Sequence, residues 1–175
     1  MMKNIVSLLV LLIISFTINA QDKANTENKV PNQWTMRPNY SLKGDVGLLT
    51  INLPAQGTIM FTVARSGVAK KLFTWHSSTT KELPPGTYDI TFWNIKIPSV
   101  VIEKGKETRV FAGILNSTVK KPWEVWTVGG EKVFSAGSAK MVALPAGKYI
   151  VKTGAAEIKT TINDGQVSIF SFTAY

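Results

Sequence analysis

The residues able to do chemistry are few. The chain holds one histidine, His76, and no cysteine. A multi-histidine metal cluster, a thiolate zinc site and a thiol nucleophile are therefore out of reach within one copy. A Ser-His-Asp relay would have to run through His76, which follows Trp75 at the end of an apolar stretch and reads as a surface or edge residue. Asp45, Asp89, Glu103 and Asp164 could supply paired carboxylates for sugar hydrolysis. Glu103 and Asp164, however, stand in the turn sequences Glu103-Lys104-Gly105-Lys106 and Asn163-Asp164-Gly165-Gln166, where solvation or an Asx turn accounts for them. There is no glycine-rich phosphate loop, calcium-loop spacing or zinc signature. These observations point to a non-enzymatic protein with no cofactor; a secreted glycan-active hydrolase is the rival reading.

Tryptophan is the more informative residue. Trp75, Trp93, Trp123 and Trp126 all lie in or beside expected strands and are the candidate ligand-binding residues. Trp123 and Trp126 have opposite parity, so at least one of them faces away from a core. An exposed ring either covers a sugar face or packs on a neighbouring unit. Lys70-Lys71 near Phe73 and Trp75, and Lys120-Lys121 near Trp123 and Trp126, combine cations with stacking rings. A nucleic-acid partner is nonetheless not expected, because the N-terminus carries an export signal.

That signal is Lys3 followed by the apolar run from Ile5 to Ile18, with Asn19-Ala20-Gln21 marking cleavage after Ala20. We assign residues 1–20 to a signal peptide and expect a periplasmic, outer-surface or secreted location. The whole chain has a formal charge of +9, and removing Lys3 leaves 19 basic against 11 acidic residues. The excess is spread along the chain and suits solvation or peripheral contact with anionic surfaces. Without cysteines, stability must come from packing alone.

The elements that position these residues follow two periodicities, one of residues and one of segments. Residues 21–44 read as a flexible leader followed by an irregular edge segment around Trp34, Pro38 and Tyr40. After Asp45 the pattern is β throughout, with no helical period of useful length. In Thr87-Tyr88-Asp89-Ile90-Thr91-Phe92 the alternation puts Tyr88, Ile90 and Phe92 in a core, and leaves Trp93 on the polar face or at a strand end. Pro98 marks an edge strand. Glu107 to Ala112 reads as one strand, Asn116 to Pro122 as a polar connector, and Gly129-Gly130 as a tight primed turn.

The segment period is carried by Leu83-Pro84-Pro85-Gly86-Thr87-Tyr88, which returns as Leu144-Pro145-Ala146-Gly147-Lys148-Tyr149 at an offset of 61 residues; Gly105 returns near Gly165 at an offset of 60. We read each Pro-Gly segment as a hairpin. The expected fold is all-β: tandem Greek-key-like β-sandwich units from an internal repeat of about 60 residues, the first over 45–115 and the second over 122–175.

These repeated motifs resemble small bacterial extracellular β-sandwich modules of the PEGA and carboxypeptidase regulatory (transthyretin-like) type. The resemblance implies about seven strands per module and a non-catalytic accessory, envelope-binding or adhesive role. The expected function is accordingly that of an exported binding or structural module of the cell envelope. Its partner would be a glycan or an envelope or extracellular protein. Self-association, or a place as a structural subunit of an extracellular assembly, is the further alternative because sandwich edges can accept strands.

Overall fold

The structure, a computed structural model, describes residues 33–54 and 61–171. The expected signal peptide, most of the leader, the start of the strand expected at Thr58 and the last four residues lie outside the described residues. Among the described residues every regular element is a strand, and the strands form four sheets.

The first seven-strand set is β2 (Gly47–Ile51), β3 (Phe61–Arg65), β4 (Lys71–Trp75), β5 (Thr79–Leu83), β6 (Gly86–Phe92), β7 (Ile95–Ile102) and β8 (Lys106–Val110). The second is β9 (Ala112–Ser117), β10 (Trp123–Thr127), β11 (Lys132–Ala136), β12 (Lys140–Pro145), β13 (Gly147–Thr153), β14 (Ala156–Ile162) and β15 (Val167–Phe170). One further strand, β1 (Trp34–Pro38), precedes both. Sheet order β8-β2-β5 in the first set recurs as β15-β9-β12 in the second, and β4-β3-β6-β7 recurs as β11-β10-β13-β14. Even the sense of pairing repeats: β2 runs parallel to β8, and β9 parallel to β15, amid otherwise antiparallel ladders. The duplication read from a turn motif is thus a duplication of a whole sandwich.

Each Leu-Pro-x-Gly-x-Tyr segment is a corner between sheets, where the sequence suggested a hairpin. β5 pairs with β2 while β6 pairs with β3 and β7; β12 pairs with β9 while β13 pairs with β10 and β14. Proline has no N–H to give a ladder, so the chain leaves one sheet there and enters the other. Tyrosine closes the corner: the Tyr88 hydroxyl donates to the Pro84 carbonyl at 2.7 Å, and the Tyr149 hydroxyl to the Pro145 carbonyl at 2.9 Å. Both rings are buried, and burial pushes the Tyr149 hydroxyl well above its ordinary pKa, which keeps it a donor.

Inward alternation then builds two cores. Leu49, Ile51 and Val110 from one sheet meet Phe61, Val63, Tyr88, Ile90 and Phe92 from the other. The second core gathers Trp123, Val125, Phe134, Tyr149, Val151 and Phe170. Tyr88, Ile90 and Phe92 are fully buried, as their spacing requires.

Three local expectations change. Trp34–Pro38 is a regular edge strand antiparallel to β8, with Pro38 at its last pair, where a missing N–H costs little. The reversal at Gly129-Gly130 is longer than a two-residue primed turn. The Gly130 N–H donates to Thr127 O at 3.0 Å and only Gly130 takes a positive φ, +87°. Most consequentially, the chain breaks at Phe111: β8 ends at Val110, and Ala112–Ser117 is a strand of the second sandwich, so the polar connector begins only after Ser117.

β9 is covered on both faces. Ala112 and Ile114 pack with the first core, while Leu115 packs with the second; on β12, Ala143 joins the first and Val142 and Leu144 the second. Glycine is also demanded at two equivalent places, each facing the turn before the last strand of its own sandwich. A Cβ on Gly113 would strike the Asn163 carbonyl and lie 2.9 Å from Ile162 Cγ2. On Gly47 it would strike the Glu103 carbonyl and lie 2.7 Å from Ile102 Cγ2. Gly113→Ala should therefore cost about 1–3 kcal/mol in urea unfolding, since the obstacle is backbone. Gly137→Ala, where nothing lies within 4 Å of the added carbon, should stay within about 0.5 kcal/mol.

Candidate functional site

The four tryptophans take four different environments. Trp123 is core: it is 1% exposed, its Nε1–H donates to Ser138 O at 2.8 Å, and its ring packs on Phe134 and Phe170. No face of it is open to a ligand. Trp126, three residues on, looks outward as its parity requires. Its Nε1–H donates to Glu124 Oε2 at 2.9 Å, and Lys152 lies 4.9 Å and Lys132 5.9 Å from its ring centre. Trp75, at the end of β4, is the most exposed of the four at 41%; it meets Phe73 edge-on, with Lys81 4.5 Å from the Phe73 ring.

Trp93 carries the most structural information. It and Asn94 form the two-residue tip between β6 and β7, since Phe92 pairs with Ile95. Such a tip needs a left-handed backbone, and Trp93 adopts φ +53°. The equivalent tip of the second sandwich, between β13 and β14, begins with Gly154 at φ +56°. Glycine takes this conformation without penalty, whereas a bulky side chain there is strained. The strain is offset by where the ring goes. It crosses to the second sandwich, with its centre 4.5 Å from that of Phe134 and Lys140 5.8 Å away, and it packs against both cores. Among the described residues its buried Nε1–H has no hydrogen-bond partner.

Beside this contact lies a shallow, open depression of about 260 Å³, lined by Trp93, Asn94, Lys132, Val133, Phe134 and Ser135. The seam therefore brings Trp93 beside Lys132, the same lysine that neighbours Trp126. Sequence reading named both tryptophans but missed Phe134 and Lys132, which join them. The available signal was the mismatch of Trp93 with Gly154 at the same place in the repeat.

The candidate carboxylates all have cations. Asp45 pairs with Lys104, Asp89 with Lys96, Glu103 with Lys106 at 2.6 Å and Asp164 with Arg109. Asp164, expected as a simple turn residue, ties the end of β8 to the β14–β15 turn and accepts the Ala112 N–H at 3.2 Å. Lys96, then the Ser66 hydroxyl, hold Asp89 below the usual carboxylate range; the Trp126 indole and Lys132 do the same for Glu124. Among the described residues, no group of three or more His, Asp or Glu side chains is placed to hold a metal ion. His76 is exposed just beyond β4.

No protein-family model matches the chain, and no curated protein matches it in sequence. Neither comparison supports the specific resemblance of the repeated motif to PEGA and carboxypeptidase regulatory modules. Among solved structures, the Bacillus anthracis TIE protein matches with 15% identity and a TM-score of 0.33, over 73% of this chain and 33% of that one. The chain thus spans about a third of that protein's length.

Two predictions follow from these environments. Trp123→Ala should lower stability by about 3–5 kcal/mol by chemical denaturation, whereas Trp75→Ala should change it by less than about 1 kcal/mol. Because the folded pKa of Asp89 is depressed, its contribution is present above the unfolded value of about 3.9 and is lost as pH falls through the folded value. Asp89→Asn should consequently flatten the loss of stability below about pH 4, measured as urea midpoint against pH.

Proposed function

We propose that this protein is an exported, non-enzymatic binding module of the cell envelope. In this reading it takes a glycan, preferably one carrying acidic groups, against the seam formed by Trp93, Asn94, Phe134 and Lys132. One observation carries the reading: a strained tryptophan occupies a hairpin position that the sister unit fills with glycine, and that tryptophan lines the depression at the seam. Backbone strain at a solvent-facing depression is a recurrent mark of a functional site.

The chemistry of the lining suits such a ligand. An aromatic face stacks on the apolar side of a sugar ring, Asn94 and Ser135 offer hydrogen-bonding groups for hydroxyls, and Lys132 meets a carboxylate or sulfate. No carboxylate lines the depression. Lys140, 5.6 Å from the Phe134 ring, adds positive charge nearby. Trp126 extends the same aromatic and basic surface through Lys132.

The test is binding to arrays of neutral and anionic glycans at two salt concentrations. Trp93→Gly is the decisive variant, because the backbone then matches Gly154 and the tip keeps its turn. Its binding should fall at least about tenfold, a loss of about 1.4 kcal/mol, while Trp75→Ala binds as the parent does. Unchanged binding by a folded Trp93→Gly protein would reduce the ring to glue between the sandwiches. Binding that vanishes for every ligand as salt rises would leave only diffuse positive charge.

A further inference from the structure

The two sandwiches differ at one edge. In the first, β8 is not an edge strand, because β1 lies along it: Asn39 N–H donates to Gly105 O and Phe111 N–H to Gln33 O, both at 2.8 Å. In the second, the equivalent strand β15 ends its sheet, and among the described strands none pairs with its outer side. Alternation fixes which groups face outward. The Gln166 carbonyl accepts Ile114 N–H at 2.9 Å and the Phe170 carbonyl accepts Thr118 N–H at 3.1 Å, which turns the backbone groups of Val167 and Ile169 away from β9.

Composition sets this edge apart. Every other sheet edge carries a charge or a proline within its strand: Arg37 and Pro38 on β1, Lys71 on β4, Lys81 and Glu82 on β5, Lys96 and Pro98 on β7, Lys132 on β11, Lys140 on β12, Glu157 and Lys159 on β14. Those are the devices by which exposed edges avoid pairing. β15 reads Val167-Ser168-Ile169-Phe170 and has none. Val167 is 40% exposed and Ile169 72% exposed. At the same places on β8 stand Glu107 and Arg109, each engaged in an ion pair.

We propose that β15 pairs antiparallel with β15 of a second copy, in a two-fold register centred on Ser168. That register sets Val167 opposite Ile169 of the second copy and Ile169 opposite its Val167, so apolar side chains meet apolar side chains on one face. The same two residues supply the outward N–H and C=O groups, giving one continuous sheet through both copies. The chain's own β1 sequence is a poorer occupant. Its Arg37 bonds Glu107 at 2.9 and 3.1 Å on β8 and would face Val167 here. A four-residue ladder is small, so the dimer should dissociate on the order of 10–100 µM.

Sedimentation velocity over about 5 to 500 µM, a span chosen to bracket that affinity, tests the association. The expected result is a reversible shift from monomer to dimer that Ile169→Lys abolishes; Ile169 is exposed, so near-UV circular dichroism should be unchanged. The register has its own test. Ser168 faces Ser168 of the second copy in a non-hydrogen-bonded pair, where Cα atoms lie about 4.5 Å apart, within reach of a disulfide. In a chain without cysteine, Ser168→Cys should cross-link to a dimer at least about tenfold faster than Ser41→Cys under mild oxidation. A monomer throughout the range, a dimer that survives Ile169→Lys, or equal cross-linking of the two cysteine variants would each overturn the proposal. None of these outcomes depends on glycan binding.

Discussion

A hydroxyl donated across four residues, from Tyr88 to Pro84 and again from Tyr149 to Pro145, sets the geometry on which both halves depend. At each corner the chain must leave one sheet and enter the other, and a carbonyl at such a bend is left without a ladder partner. An unpaired buried carbonyl costs about 1–3 kcal/mol, so something must reach it. Tyrosine two residues into the next strand does so only if its ring points inward. Once it does, the period of two places Ile90 and Phe92, or Val151, in the same core. One hydrogen bond thus selects the inward face of the central strand, and a slip of one residue would reverse it.

The copies share this frame and diverge where they touch. A repeat of some 60 residues buries little surface by itself, and here the deficit is met by packing one sandwich against the other. β9 and β12 serve both cores. The hairpin tip bearing Trp93 completes the junction. Its sister tip carries Gly154 and makes no such crossing, so the duplication kept the turn and changed the residue. Strain in the Trp93 backbone and partial burial of its ring in the seam are two sides of one arrangement.

Much of this was legible. The inward set Tyr88, Ile90 and Phe92 followed from alternation, and the all-β class and repeat followed from the corner motif and the paired turn glycines. The first strand was not legible, because Pro38 and two isolated aromatics look the same in a loop and at a strand end. Nor was the break at Phe111: Ala112-Gly113-Ile114-Leu115 lacks alternation since both its faces are covered, and such a run gives no period to read. For the site, parity separated Trp123 from Trp126. What joins Trp93 to Phe134 and Lys132 is a contact between residues about 40 apart in sequence. No local pattern encodes it.

The short joint also bears on how the seam can work. β8 and β9 are separated by Phe111 alone, whose N–H donates to Gln33 O at 2.8 Å and whose carbonyl accepts the Ala146 N–H at 2.9 Å. One residue therefore bonds to the start of the first sandwich and to the corner of the second. Arg109 and Asp164 close the same joint from outside. These bonds restrain one sandwich against the other, so in the proposed role Trp93 and Phe134 would already be in contact before any ligand arrives. In that proposed role binding would not have to order two domains, and the free energy of contact would be available as affinity. Tandem modules on flexible linkers gain reach by giving up that advantage. Here the chain has done the opposite, building one rigid surface from two copies of a small fold.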